Sequence, residues 1–376
     1  MNQYNKIRHK MTHTHHLHNR LSEWAFLLVF LLLALSACRH PEVVEQEDLT
    51  FAHGLYVLNE GNMGSNKASI DFYDPISDTL YRNIYPTVNP TVMKELGDVG
   101  NDIAIYGGKL YAVINVSGKV EIMDLQARRI SSVDIPNCRS ICFADGYAYV
   151  SSYAGPVEIN PDYQQRGYVA KIDTLSLCVV DTCHVGFQPN GIVSDGNHLY
   201  VANSGGYMAP NYDSTLSVIA LSDFRETKRI PIAVNLDQVV YDARRNTLYV
   251  RSQGDYYTQP EALYELNLLT EEVKPLPVAL KSMQLFGDKL YGYTGVAKKW
   301  QMGFLNLTTN TFTAIPLENQ SELQTPYALF ITENDLYLTD ARDYVTPGVL
   351  YRYTHSGELL SKQRTGDIPA HICLKE

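Results

Sequence analysis

The chain has 376 residues, 45% of them apolar and 11% aromatic, with 27 Tyr against 11 Phe and 2 Trp. That is enough to bury a large core, and an aromatic excess suits strands and wet binding surfaces, so disorder is excluded. A net charge of −10 repels polyphosphate and leaves nucleic-acid binding without electrostatic support.

Residues 1–37 read as a signal peptide. A basic, His-rich start (MNQYNKIRHKMTHTHHLHNR) runs into WAFLLVFLLLALSA, the charged-then-apolar order of a secretory leader, too short to span a membrane comfortably. Leu35-Ser36-Ala37-Cys38 resembles the bacterial lipobox, which implies that Cys38 is lipidated and anchors the mature chain to a membrane. His13, His15, His16 and His18 leave with the leader. Residues 38–52 form a polar, acidic tether (RHPEVVEQEDLT after Cys38) that resembles the surface-export signal of Bacteroidetes lipoproteins. The resemblance implies an outer-membrane lipoprotein facing the cell exterior. Cleavage removes four bases (Lys6, Arg8, Lys10, Arg20) and one acid (Glu23), leaving 27 bases against 40 acids, a net charge of −13.

From residue 53 to 376 an apolar-Tyr strand recurs: GLYVLNEG, GKLYAVIN, GYAYVSSY, NHLYVANSG, NTLYVRSQG, DKLYGYTG and NDLYLTDA. Its tyrosines (56, 111, 149, 200, 249, 291, 337) lie 38 to 55 residues apart, the period of propeller blades. Each copy after the first follows a run such as DIAIYGG or SICFADG and precedes two more alternating segments, so a unit holds an inner strand, the "LY" strand, a third and an outer one. The first LY strand at 54 has no inner strand before it, and DIPAHICLKE at 367–376 is an inner strand with nothing after it. Together they complete one blade and remove the open edges of an unclosed ring. The fold expected is an all-β, seven-bladed β-propeller closed by a blade shared between N- and C-terminal strands.

Five cysteines follow Cys38: 138, 142, 178, 183 and 373. Those at short spacing share single predicted strands, where an i,i+4 separation of roughly 13 Å is too far for a disulfide. They read as small buried hydrophobes.

The connections sort into two faces. One carries tight turns (YGGK, FADG, SDGN, FGDK, DPISD, DLQAR, NLTTN) made by Gly, Asp and Asn. The other carries long, Tyr- and Asn-rich ones: NEGNMGSNKAS, YAGPVEINPDYQQRG, NSGGYMAPNYDST, SQGDYYTQPEA, YTGVAKKWQM and DARDYVTPG. Long loops gathered on one face of a rigid scaffold read as a recognition surface, although they would also serve as a lid. Tyr153, Tyr207, Met208, Tyr212, Tyr256, Tyr257, Trp300 and Tyr344 are its candidate ligand-binding side chains, with Gly205-Gly206 as a hinge and Lys298-Lys299-Trp300 as a solvated loop tip.

Aligned inner strands put Asn101, Arg139, Asn190, Asp237, Lys281 and Tyr327 at one level of the channel mouth. Beside them fall Asp102, Ser140, Gly191, Gln238, Ser282 and Ala328, with His371 in the same ring. Three residues beyond each LY tyrosine stand Asn59, Ile114, Ser152, Asn203, Ser252, Thr294 and Asp340, polar in six of seven copies. From these, Asn59, Asn101, Asp102, Arg139, Asn190, Asn203, Asp237, Gln238, Lys281, Tyr327, Asp340 and His371 are candidate ligand contacts.

No nucleophile elbow, phosphate loop or zinc spacing appears, so the chain is read as a non-enzyme with no catalytic residue, no metal and no required cofactor. The alternative hydrolase would need Asp102, Asp237 and Asp340, with Asn190, to hold a cation, but Arg139 and Lys281 share that ring.

The stretches LNEGNMGSNKASIDFYDPISDTLYRNIYP and PTVMKELGDVGNDIAIYGGKLYAVINVSGKVEIMD resemble the YncE-like propeller lipoproteins of gut Bacteroidetes, a likeness running from about residue 54 to the C-terminus. That group includes the BtuG-type lipoproteins. The resemblance implies binding of cobalamin or a related corrinoid and hand-over to a TonB-dependent outer-membrane transporter. A wide mouth ringed by Asn, Gln, Ser and Tyr suits such an amphipathic ligand. The same surface would also suit a protein partner with no small molecule.

Overall fold

The computed structural model describes residues 50–92, 95–295 and 299–376. The leader, Cys38 and most of the tether lie outside the described residues. Within them the chain is almost entirely β: seven four-stranded antiparallel sheets, each made of an inner, an LY, a third and an outer strand. The inner strands, from blade 2 to blade 7, are Gly100–Tyr106, Cys138–Ala144, Pro189–Ser194, Leu236–Asp242, Lys281–Phe286 and Pro326–Ile331. Blade 1 is the seam: its inner strand is Pro369–Lys375, paired antiparallel with the LY strand Gly54–Asn59 from Leu55↔Leu374 to Leu58↔His371. Each inner strand contacts the next, and blade 7 and blade 2 both meet the seam strand, so the ring is closed.

The alternation of each LY strand explains its burial. The LY tyrosines Tyr56, Tyr111, Tyr149, Tyr200, Tyr249, Tyr291 and Tyr337 are at most 5% exposed, standing with the aliphatic residues between adjacent sheets. One such cluster joins Val113, Val120 and Ile122 of blade 2 to Ile141, Val150 and Ile172 of blade 3; others join blades 4 and 5 and blades 6 and 7. Burying a side chain of this size contributes roughly 1.5–3 kcal/mol, which is why stacked blades hold where a single sheet would not.

Tight turns form where the sequence places their chemistry. Asp74, Asp124, Asp173, Asn267 and Asn306 each accept the N–H two residues on through a side-chain oxygen, closing five third-to-outer turns. Gly107 and Gly108, both at positive φ (+55° and +72°), make the inner-to-LY turn of blade 2. The stretch from blade 1 to blade 2 contains a short helix, Ile84–Val88, with Ile84 and Tyr85 buried. Tyr85 donates to Glu121 (2.9 Å), and Asn89 bridges the carbonyls of Tyr85 and Ala127, so this connection braces the side of blade 2.

All five described cysteines are free thiols, and 138, 183 and 373 are buried as expected. Cys178 is exposed because the outer strand it begins, Cys178–His184, has no neighbour beyond it.

Candidate functional site

Every inner strand carries a register shift, at the same level in six blades and one residue further along in blade 6. The pairing skips a residue between Gly100 and Asp102, Leu236 and Gln238, and Pro369 and His371, with equivalent shifts in the other four blades. An extra residue opposite one partner bends a strand and re-aims its side chains. Seven such bulges turn the aligned pair of residues in each blade toward the axis, where they open a cavity of about 810 Å³ at the channel mouth.

Eleven of the residues expected from sequence line it: Asn101, Asp102, Arg139, Asn190, Asp237, Gln238, Lys281, Trp300, Tyr327, Tyr344 and His371. Several are also tied to the scaffold. The edge of each inner strand faces its neighbour with unpaired backbone groups, and polar side chains reach across to satisfy them. Gln238 exchanges two hydrogen bonds with the backbone of Met283 (3.1 and 2.9 Å). Asp102 accepts from the N–H groups of Ile141 (3.0 Å) and Ile103 (2.8 Å), and Asn101 donates to the Arg139 carbonyl (2.9 Å).

Charge is concentrated on blades 5 and 6. Arg251 pairs with Asp237 and, at 3.0 Å, with Glu261, whose other oxygen lies 3.0 Å from Lys281. Burial holds the Asp237 carboxyl above its usual range against the pull of Arg251. Asp237 Oδ1 and Arg251 Nε have no hydrogen-bond partner among the described residues. Across the mouth, Tyr327 donates to Glu60 (2.8 Å), and burial raises the Glu60 carboxyl despite that bond and the nearby Arg139. Deeper, Asp102 and His371 approach to 3.8 Å. Burial pushes Asp102 up to about 7, and burial, with help from Arg139, pushes His371 down to about 4.

Nine expected residues are elsewhere. Asn59, Asn203 and Asp340 are no more than 1% exposed and serve as clamps. Asn59 donates to Ser69 Oγ (3.1 Å), Asn203 to Thr215 Oγ1 and Ser217 Oγ (3.0 and 2.9 Å), and Asp340 accepts the N–H groups of Gln324, Thr325 and Arg342. Ser152 and Ser252 do the same work, donating to the carbonyls of Pro136 and Val234. Five of the polar residues three past the LY tyrosines therefore tie loops down, and none of the five lines the cavity.

Tyr153 and Met208 are buried, and Tyr212 is half-buried against Tyr256 (ring centres 6.4 Å). Tyr207, Tyr256 and Tyr257 remain exposed, Tyr257 at 87%. Gly205 sits at φ +53° against neighbouring backbone, where a Cβ would lie 2.3 Å from the Asp213 nitrogen, so its conformation and packing both require glycine. Trp300 is no solvated tip either, since it is 5% exposed and packs edge-on against Tyr293. Lys298 lies outside the described residues.

Sequence reading missed Glu60, Arg251, Gln253 and Tyr293, all in the cavity wall. The signal for two of them was present. Arg251 and Tyr293 stand two residues past the LY tyrosines 249 and 291, where other copies have Leu58, Val113, Ser151, Ala202 and Thr339.

Among solved structures, the fold is similar to a quinonprotein alcohol dehydrogenase-like protein from Bacteroides thetaiotaomicron (TM-score 0.62, 12% identity, 86% of this chain and 79% of that one). A periplasmic gluconolactonase from Pseudomonas aeruginosa matches at TM-score 0.61 and 11% identity over 86% of this chain and 99% of its own. Hydrazine synthase from Kuenenia stuttgartiensis matches at 0.58 and 13%, over 72% and 88%. At these identities the likeness is one of fold. No curated protein matches the sequence significantly. Residues 53–251, more than half of the chain, match the family model described as "Domain of unknown function (DUF5074)", and the protein belongs to that family.

Proposed function

We propose that this protein is a non-enzymatic, lipid-anchored binding propeller of the outer membrane that takes cobalamin or a related corrinoid at its channel mouth and passes it to a TonB-dependent transporter. The observation that carries the reading is the cavity itself. All seven blades contribute to a wall that mixes hydrogen-bonding groups (Asn101, Asn190, Gln253) with the rings of Tyr293, Trp300, Tyr327 and Tyr344. A ligand with amide arms and a broad apolar face meets both kinds of contact there. A corrinoid is larger than the cavity, so its outer edge would rest on the exposed rings of Tyr207, Tyr256 and Tyr257. Calorimetric titration of the purified protein with cyanocobalamin and with cobinamide tests this. Saturable heat at micromolar protein is expected, and no heat with either compound rejects it.

A docking module without a small-molecule ligand is favoured by a different observation: Met63, Ile159, Tyr257 and Val345 are all more than 60% exposed on the long-loop face. Co-purification with a barrel protein in the absence of corrinoid binding would select that reading. The gluconolactonase among the similar structures keeps a hydrolase in view; it requires a bound divalent ion at the mouth and lactone turnover that is lost in Asp237→Ala.

A further inference from the structure

The two sides of the mouth differ in how their cations are used. On blades 5 and 6, Arg251 and Lys281 are each matched to an acid. On blade 3, Arg139 also lines the cavity, yet no carboxylate among the described residues comes within ion-pairing distance of it. Its guanidinium lies 5.0 Å from the centre of the Tyr153 ring. Tyr153 is itself buried, with Tyr207 packed edge-on against it at 6.3 Å. The guanidinium's one hydrogen bond among the described residues runs from Nε to Asn190 Oδ1 at 3.5 Å. The guanidinium thus sits over the Tyr153 ring with Nε turned to Asn190, and neither Nη group has a hydrogen-bond partner among the described residues. Glu60, the acid whose field it shares, is engaged by the Tyr327 hydroxyl.

We propose that Arg139, set over the Tyr153 ring, is an anion subsite of this cavity and binds a carboxylate or phosphate group of the ligand through its two Nη groups. The inference rests on reading the cavity as a ligand site. A planar, two-pronged donor matched to an oxyanion is what Arg supplies and Lys does not. Desolvation by the Tyr153 and Tyr207 rings strengthens the charge-assisted bonds.

The test uses the purified protein with 15N-labelled arginine side chains, titrated with sodium phosphate and separately with sodium acetate at an ionic strength held constant with sodium chloride. One Nε–Hε resonance, absent from Arg139→Gln, is expected to shift saturably; the arm in which it does so identifies phosphate or carboxylate. No saturable shift of that resonance in either arm overturns the proposal. A parallel calorimetric arm compares cyanocobalamin, which carries a phosphodiester, with cobinamide, which lacks it. Arg139→Gln and Arg139→Lys, each checked for an unchanged melting temperature, are expected to weaken cyanocobalamin about tenfold, the scale of one charge-assisted pair, and to leave cobinamide unaffected. Corrinoids that give no heat while phosphate or acetate still shifts the Arg139 resonance would reject the corrinoid reading and support the subsite. Corrinoid binding unchanged in both variants, with no anion shift, would overturn the subsite and leave the corrinoid reading intact.

Discussion

Asp237 is the acid that the mouth is least able to lose. Its side chain and that of Arg251 are each only 13% exposed, and removing one member of a buried pair strands the other charge in a poorly solvated place. Asp237→Ala is expected to cost about 3 kcal/mol, since breaking a buried pair is far more damaging than never having built it. Glu261 still holds Arg251, which keeps the loss from being larger. Urea denaturation measures it, and a loss under about 1 kcal/mol would show that the pair is effectively solvated. Asp102 and His371 make a second residue-scale prediction. The folded Asp102 titrates at about 7, above its unfolded value, so its contribution is present at low pH and is lost as pH rises toward 7. The folded His371 titrates at about 4, below its unfolded value, so its contribution is present above the ordinary histidine range and is lost as pH falls toward 4. Between these limits the two slopes oppose each other. Relative to wild type, melting temperature should rise with pH from 4 to 6.5 in Asp102→Asn and fall over the same window in His371→Gln; parallel curves for all three proteins would contradict the assignment.

At the scale of the element, the repeated bulge and the repeated clamp are two uses of one blade plan. The bulge is why residues aligned by counting back from each LY tyrosine reach the cavity, and this part of the site was legible because the offset from the LY motif is nearly constant. The clamps were visible too, as a polar residue three positions past each tyrosine, but their role was not. Spacing shows that Asp340 is polar; it does not show that the N–H groups of Gln324, Thr325 and Arg342 converge on its carboxylate. Asp340→Ala leaves those three donors without their acceptor and is expected to destabilise the protein by about 3 kcal/mol, with Asp340→Asn intermediate. Chemical denaturation decides it, and an alanine variant as stable as wild type would return Asp340 to the list of ligand contacts. Gly205 teaches the same lesson, because spacing shows a glycine in a long loop but not the Asp213 backbone that leaves no room there for a Cβ.

At the scale of the molecule, closure depends on one strand. Pro369–Lys375 pairs with Gly54–Asn59 and touches the inner strands of blades 2 and 7. Its Lys375 side chain, buried at 5% exposure, donates to the carbonyls of Phe51 and of Leu125, the latter at 2.6 Å, and so latches the seam to the turn of blade 2. Deleting residues 369–376 is expected to leave Gly54–Asn59 as an open apolar edge and to yield aggregated protein without a cooperative melt. A soluble monomer with a wild-type transition, seen by size exclusion and circular dichroism, would mean that the ring holds without its seam.

The amino-acid sequence by itself determined the blade count, the strand order within a blade, the seam and the tight turns. These follow from period-two alternation and from turn chemistry, both properties of residues adjacent in the chain. Tertiary structure decided which polar side chains at the mouth are free and which are spent. The network of Asp237, Arg251, Glu261 and Lys281 joins three strands and a loop, the Glu60–Tyr327 bond spans 267 positions, and Arg139 has no acidic partner among the described residues because of where those acids end up. Partners so distant in sequence leave no periodic trace, because what selects them is proximity across blades and the cost of burying a charge alone.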